Sequence, residues 1–89
     1  MAIRYREQIL KEFTPITTKS EEDSIDQIRF RIVKRSEIHT AVLDVRQFIT
    51  SKKYTGWTRK GIYLERNQVP AAIKALTEAL REFNTINED

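Results

Sequence analysis

Cationic and aromatic side chains interleave in residues 44–64, DVRQFITSKKYTGWTRKGIYL. Arg46, Lys52, Lys53, Arg59 and Lys60 alternate there with Phe48, Tyr54, Trp57 and Tyr63. Cations attract phosphate and flat aromatic faces stack on unpaired bases, so the mixture suits single-stranded nucleic acid. The competing reading is a hairpin whose aromatic residues are core and whose lysines are solvated. A net charge of +3 over 89 residues decides little, but its distribution is uneven. Residues 1–24 carry −1, residues 25–66 carry +6 and residues 67–89 carry −2. The positive field is concentrated where an anionic ligand would need it.

Other chemistries find little support. The chain has no cysteine and a single histidine, which excludes a disulfide scaffold and leaves no metal-ligand set. His39 reads as a turn residue, and Glu78 and Glu82, four apart on a helix, read as solvated. Paired catalytic carboxylates, a Ser-His-Asp set and a phosphate-cradling glycine loop are all missing from the sequence. A non-enzymatic protein without cofactor or metal is therefore expected. No apolar run approaches the ~20 residues of a membrane helix, and the N-terminus lacks a signal-peptide core. An intracellular location without a membrane partner is the economical expectation.

The elements that would position these side chains follow from periodicity. Residues 26–35 alternate, with Ile28, Phe30 and Ile32 on one side and Arg29, Arg31 and Arg35 on the other. Such a strand reads either as one wall of a basic groove or as a half-buried strand with solvated arginines. Residues 36–40 are a connection, and residues 41–49 are a second strand rich in β-branched residues. A loop over 50–56 leads to a short third strand at 54–58, interrupted at Gly56, and a fourth at 61–64. Val69, Ile73, Leu76, Leu80 and Phe83 then form a helical apolar stripe, with Asn67 as N-cap and Pro70 in the first turn. Residues 1–24 read as a flexible arm with one helical turn ended by Pro15, and residues 85–89 as a tail.

The same central stretch carries a family resemblance. Asp44-Val45-Arg46 in a strand, a basic loop, then Arg59-Lys60-Gly61-Ile62 and Leu64 running towards a helix with Gln68 near its start resemble the positive cofactor four family of transcriptional coactivators. The resemblance spans about residues 28–82. It implies that Arg35, Arg46 and Lys60 face single-stranded DNA and that two copies pair through helix and sheet edge. Arg46 has a local competitor in Asp44, two residues away on the same strand face. The phosphate role is favoured, because an exposed ion pair contributes under about 1 kcal/mol.

The pattern also departs from the family. Glu37-Ile38-His39-Thr40 stands where the family has a Lys-Gly-Lys turn with a stacking aromatic residue, and Ile49 stands where it has a Trp. Tyr54 and Trp57, in a segment where the family usually has none, compensate as stacking platforms; alternatively Trp57 caps the core.

The expected fold is α+β: a curved four-stranded antiparallel sheet over residues 25–84 ending in one C-terminal helix, and dimeric. The expected function is single-stranded DNA binding with little sequence preference by a homodimer, as a transcription coactivator or a replication or recombination accessory protein. Arg29, Arg31, Arg35, Arg46, Lys52, Lys53, Tyr54, Trp57, Arg59 and Lys60 would bind nucleic acid. Val69, Ile73, Leu76 and Leu80 would form the dimer interface. The alternatives are a dimeric protein-interaction module, partnering transcription or replication proteins, and an RNA binder.

Overall fold

Three long strands, β3 (Ser24–Arg35), β4 (Val42–Ser51) and β5 (Thr55–Leu64), form an antiparallel meander. The computed structural model describes residues 7–35 and 40–86, so the turn expected around His39 lies outside the described residues. Two shorter strands, β1 (Glu7–Glu12) and β2 (Ile16–Glu21), lie end to end along the free edge of β3. The backbone N–H of Phe13 still donates to the Phe30 carbonyl at 3.0 Å before the chain reaches Pro15. Pro15 has no N–H to donate, and the ladder resumes at Ile16. The sheet therefore has five antiparallel strands and is open at both edges.

Two expectations are corrected here. The segment read as an arm with a helical turn supplies β1 and β2 instead. Ile16-Thr17-Thr18 is a β-branched run that packs well as an edge strand, and pairing with β3 overrides the weak helical period before it. The strands expected at 54–58 and 61–64 are one strand. Their break is absorbed by a bulge, in which the single residue Gln47 of β4 faces Thr58, Arg59 and Lys60 of β5. The expected count of four thus becomes five: two expected strands merge and two arise from the arm.

Register sorts the side chains onto two faces. Ile28, Phe30 and Ile32 of β3 share one face with Leu43, Val45 and Ile49 of β4 and with Ile62 and Leu64 of β5. Arg29, Arg31 and Val33 share the other with Val42, Asp44, Arg46 and Phe48, and with Trp57 and Tyr63. Among the described residues, the buried hydrophobic ones are Val33 and Val42, which sit directly opposite each other on the second face. The apolar face stays half-exposed, and Ile62 is open to solvent.

A 3-10 turn over Arg66–Gln68 leads into α1 (Val69–Thr85). Glu65 and Gln68 close a reciprocal capping box at its start, with the Glu65 N–H donating to Gln68 Oε1 at 2.8 Å. The N-cap of α1 is Gln68, one residue beyond the expected Asn67, and Pro70 stands in the first turn where its missing N–H does no harm. Only Val69 and Ala72 of the helix are half-buried. Ile73, Leu76, Leu80 and Phe83 are exposed, Leu76 by 70%. The radius of gyration is 15.9 Å, whereas a compact domain of this length has about 12 Å.

Gly61 shows how closely the strands and side chains approach. A Cβ there would meet the Val45 carbonyl oxygen at 2.7 Å and the Arg46 side chain at 2.8 Å. Because the nearest obstacle is backbone, Gly61→Ala should destabilise the fold by about 1–3 kcal/mol. Urea denaturation at fixed protein concentration measures this, and a midpoint equal to the parent's would contradict the close approach.

Candidate nucleic-acid interface

The polar face of the sheet is built around Asp44, whose side chain is 0% exposed. Its Oδ2 accepts from Arg31 Nε at 3.1 Å and from Arg31 Nη2, and its Oδ1 accepts from Arg46 Nε at 3.1 Å. A buried carboxylate is tolerated only when paired and hydrogen-bonded, and two guanidinium groups supply that. Arg31 also reaches Glu7 Oε1 at 3.4 Å, and Arg46 Nη1 donates to the Thr58 carbonyl at 3.3 Å. The Tyr63 hydroxyl closes the cluster by donating to Glu7 Oε2 at 3.4 Å.

Aromatic rings lie against these cations. The Arg29 guanidinium sits 3.7 Å over the Phe48 ring, Arg31 sits 4.0 Å over Trp57, and Arg46 is 5.1 Å from the Tyr63 centroid. Phe48 and Trp57 meet edge to face with centroids 4.8 Å apart. Each such contact is attractive through the ring quadrupole. Arg29 is oriented further by donating to Gln27 Oε1 at 3.0 Å.

The structure divides the expected binding residues into two groups. Arg29, Arg31, Arg46 and Trp57 belong to this packed layer, and Arg31 and Arg46 are already paired with carboxylates. The pairing of Arg46 with Asp44 is a buried one, rather than the surface pair weighed against the phosphate role. Lys52, Lys53, Tyr54, Arg59 and Lys60 form the second group, all exposed along the β4–β5 hairpin. Arg35 ends β3 opposite Glu7; its side chain lies outside the described residues.

Local geometry explains the exposure of the second group. The bulge projects Arg59 and Lys60 outward, and Thr58 pins it by donating to Gln47 Oε1 at 3.2 Å and accepting from the Lys60 N–H at 3.1 Å. The hairpin tip is closed by the Ser51 N–H donating to the Tyr54 carbonyl at 2.9 Å, with Ser51 Oγ bonded to the same residue. Lys52 extends to Asp23 at 3.3 Å, an exposed pair that contributes little.

Glu7 and Tyr63 were missed as members of the Arg31–Asp44 cluster. Glu7 lies 24 positions from Arg31, and nothing short of strand register brings them together. The β-branched run at 16–18 was the available signal that the N-terminal segment pairs with β3. Among the described residues, no three His, Cys, Asp or Glu side chains gather as a metal site would require. No described helix is long and apolar enough to cross a membrane. No protein-family model, curated protein or solved structure matches the chain.

Removing the Asp44 carboxylate leaves Arg31 buried without its main counter-charge. Asp44→Ala should therefore cost about 3–5 kcal/mol, read as a loss of the folded baseline in thermal denaturation. Retention of a parent-like melting point would show that the cluster adds no order to the sheet.

Proposed function

We propose that this protein binds single-stranded DNA without catalysing a reaction, with little sequence preference, as an intracellular homodimer. The observation that carries this reading is the exposed set Lys52, Lys53, Tyr54, Arg59 and Lys60 along the β4–β5 hairpin, whose backbone is held by a closed turn and a pinned bulge. Exposed cations with an aromatic ring among them are what a flexible, unpaired strand needs. The resemblance to the positive cofactor four family supports the same ligand, with Lys60 in direct contact and Arg46 acting through the order of the site. A role as transcription coactivator or as replication or recombination accessory is proposed on that resemblance.

Dimerisation is supported by the unsatisfied apolar surface. The stripe Ile73, Leu76, Leu80 and Phe83 faces solvent, and the apolar sheet face opens into a cleft of about 870 Å³ lined by Phe13, Phe30, Ile32, Leu43, Leu64 and Val69. A second copy would cover both with one two-fold operation, since each protomer offers the same pair of surfaces. The exposed helix also favours the protein-interaction reading. The two separate by mutation, because the charges sit on the hairpin and the apolar stripe on α1.

Fluorescence anisotropy with a labelled ~20-nucleotide strand and its duplex tests the ligand. Single-strand binding should dominate, with log affinity falling by about 0.7 per log unit of salt for each phosphate neutralised, or about 2–3 overall for the exposed cations. Lys53→Glu with Lys60→Glu should remove about 1.4 of that slope. Equal, weak binding to strand and duplex would defeat the proposal, and tighter binding to an RNA strand would redirect it. Leu76→Asp with Leu80→Asp should convert a dimer to a monomer in sedimentation velocity; a parent chain that sediments as a monomer would refute the dimer.

A further inference from the structure

Four aromatic residues lie on or beside the proposed binding surface, and they are not equally free to accept a base. Trp57 is the obvious platform by size. Its ring, however, already carries the Arg31 guanidinium at 4.0 Å from its centroid and meets Phe48 edge-on at 4.8 Å, with Arg29 at 5.7 Å. A base stacking on that face would have to displace a guanidinium that is itself bonded to the buried Asp44. Phe48 is capped by Arg29 at 3.7 Å in the same way. Tyr63 is engaged with Glu7 and lies near Arg46.

Tyr54 differs. It is 51% exposed, yet its position is fixed. Its hydroxyl donates to the Trp57 carbonyl, and the phenol end of its ring lies against Gly56, where a Cβ would come within 3.0 Å of the hydroxyl oxygen. Gly56 adopts φ +155°, which side-chain-bearing residues rarely adopt, so the glycine both permits this backbone and leaves room for the ring. Ser51 holds the main chain of Tyr54 through its N–H and its hydroxyl, and Thr55 Oγ1 donates to the Ser51 carbonyl at 3.3 Å. The ring is therefore tethered at its hydroxyl before any ligand arrives, which lowers the entropic cost of stacking. Lys52 and Lys53, exposed, immediately precede it in the turn.

We infer that Tyr54, rather than Trp57, is the surface on which an unpaired base stacks. The tip of the β4–β5 hairpin takes one nucleotide as a unit, the base on Tyr54 and the adjoining phosphates on Lys52 and Lys53. Trp57 instead packs the Arg31 layer beneath. This rests on the single-strand reading above and names the group that recognises the base.

The test uses the full chain and ~20-nucleotide strands, one with normal bases, one with abasic sugars at every position and one carrying 5-iododeoxyuridine for photocrosslinking. Tyr54→Ala should weaken binding to the normal strand by about tenfold or more, with thermal midpoint and salt slope unchanged. On the abasic strand, parent and Tyr54→Ala should bind alike, because only the phosphate contacts remain. The crosslinked peptide of the parent should carry its adduct on Tyr54. Trp57→Leu is expected chiefly to lower the thermal midpoint; where it fails to fold, the crosslink on the parent still decides. An adduct on Trp57, or Tyr54→Ala binding the normal strand as the parent does, would overturn the inference while leaving the single-strand reading intact. A parent that binds no single strand removes both.

Discussion

A buried carboxylate on an exposed sheet sets the constraints for the rest of this molecule. Asp44 sits near the start of β4 and is reached by Arg31 from β3 and by Arg46 from its own strand. Arg31 then extends to Glu7 on β1, while Arg46 extends to the Thr58 carbonyl on β5. One charge thereby links four strands through its two arginine partners. The desolvation cost of such a charge is offset only while both arginines stay in place, so the cluster specifies register as well as adding interaction energy. A slip of one residue between β3 and β4 would carry Arg31 to the opposite face and strand the carboxylate. The Trp57 ring lies against the same Arg31 guanidinium, and Phe48 meets Trp57 edge to face.

The two faces of the sheet meet burial in opposite ways. On the polar face, paired charges and rings satisfy one another within the chain, and Val33 and Val42 complete a small dry centre. On the apolar face nothing within the described residues does the same for Phe30, Ile32 and Leu43, or for the stripe on α1. A chain of this length is already thin in core, and leaving its largest apolar surfaces uncovered adds to that deficit. Both surfaces have the right chemistry for a second copy. The helix is long enough, at about 1.5 Å per residue over 17 residues, to run the length of a neighbouring sheet face. Folding and association would then be linked, and stability would depend on protein concentration.

Much of this was legible in the sequence where periodicity was strong. The alternation of Ile28, Phe30 and Ile32 marks β3, the β-branched run marks β4, and the three-four spacing from Val69 to Phe83 marks α1. What stayed hidden depends on tertiary context. β1 and β2 are edge strands exposed throughout, so no buried face imposes a two-residue period on them. Gly56 and the Arg59–Lys60 pair looked like breaks in a strand because a bulge and a positive φ use the same residues as a loop does. The Asp44–Arg46 pair was visible at a spacing of two, but its depth was not. Arg31 lies thirteen positions away, and the fact that it completes the cluster depends on register.

The division of the cations has a consequence for recognition. Residues 25–66 carry a formal +6, yet Arg31 and Arg46 are matched by Asp44 and Glu7 within the sheet. Lys52, Lys53, Arg59 and Lys60 are the exposed cations gathered along one hairpin. On the proposed reading, ion release from so few phosphates would give a moderate salt dependence rather than the steep one that ten basic residues would suggest. A larger share of any affinity must then come from stacking, which every base can supply through its flat face. On the proposed single-strand reading, few free cations and an exposed aromatic tip would favour the same property, tolerance of sequence combined with a requirement for unpaired bases.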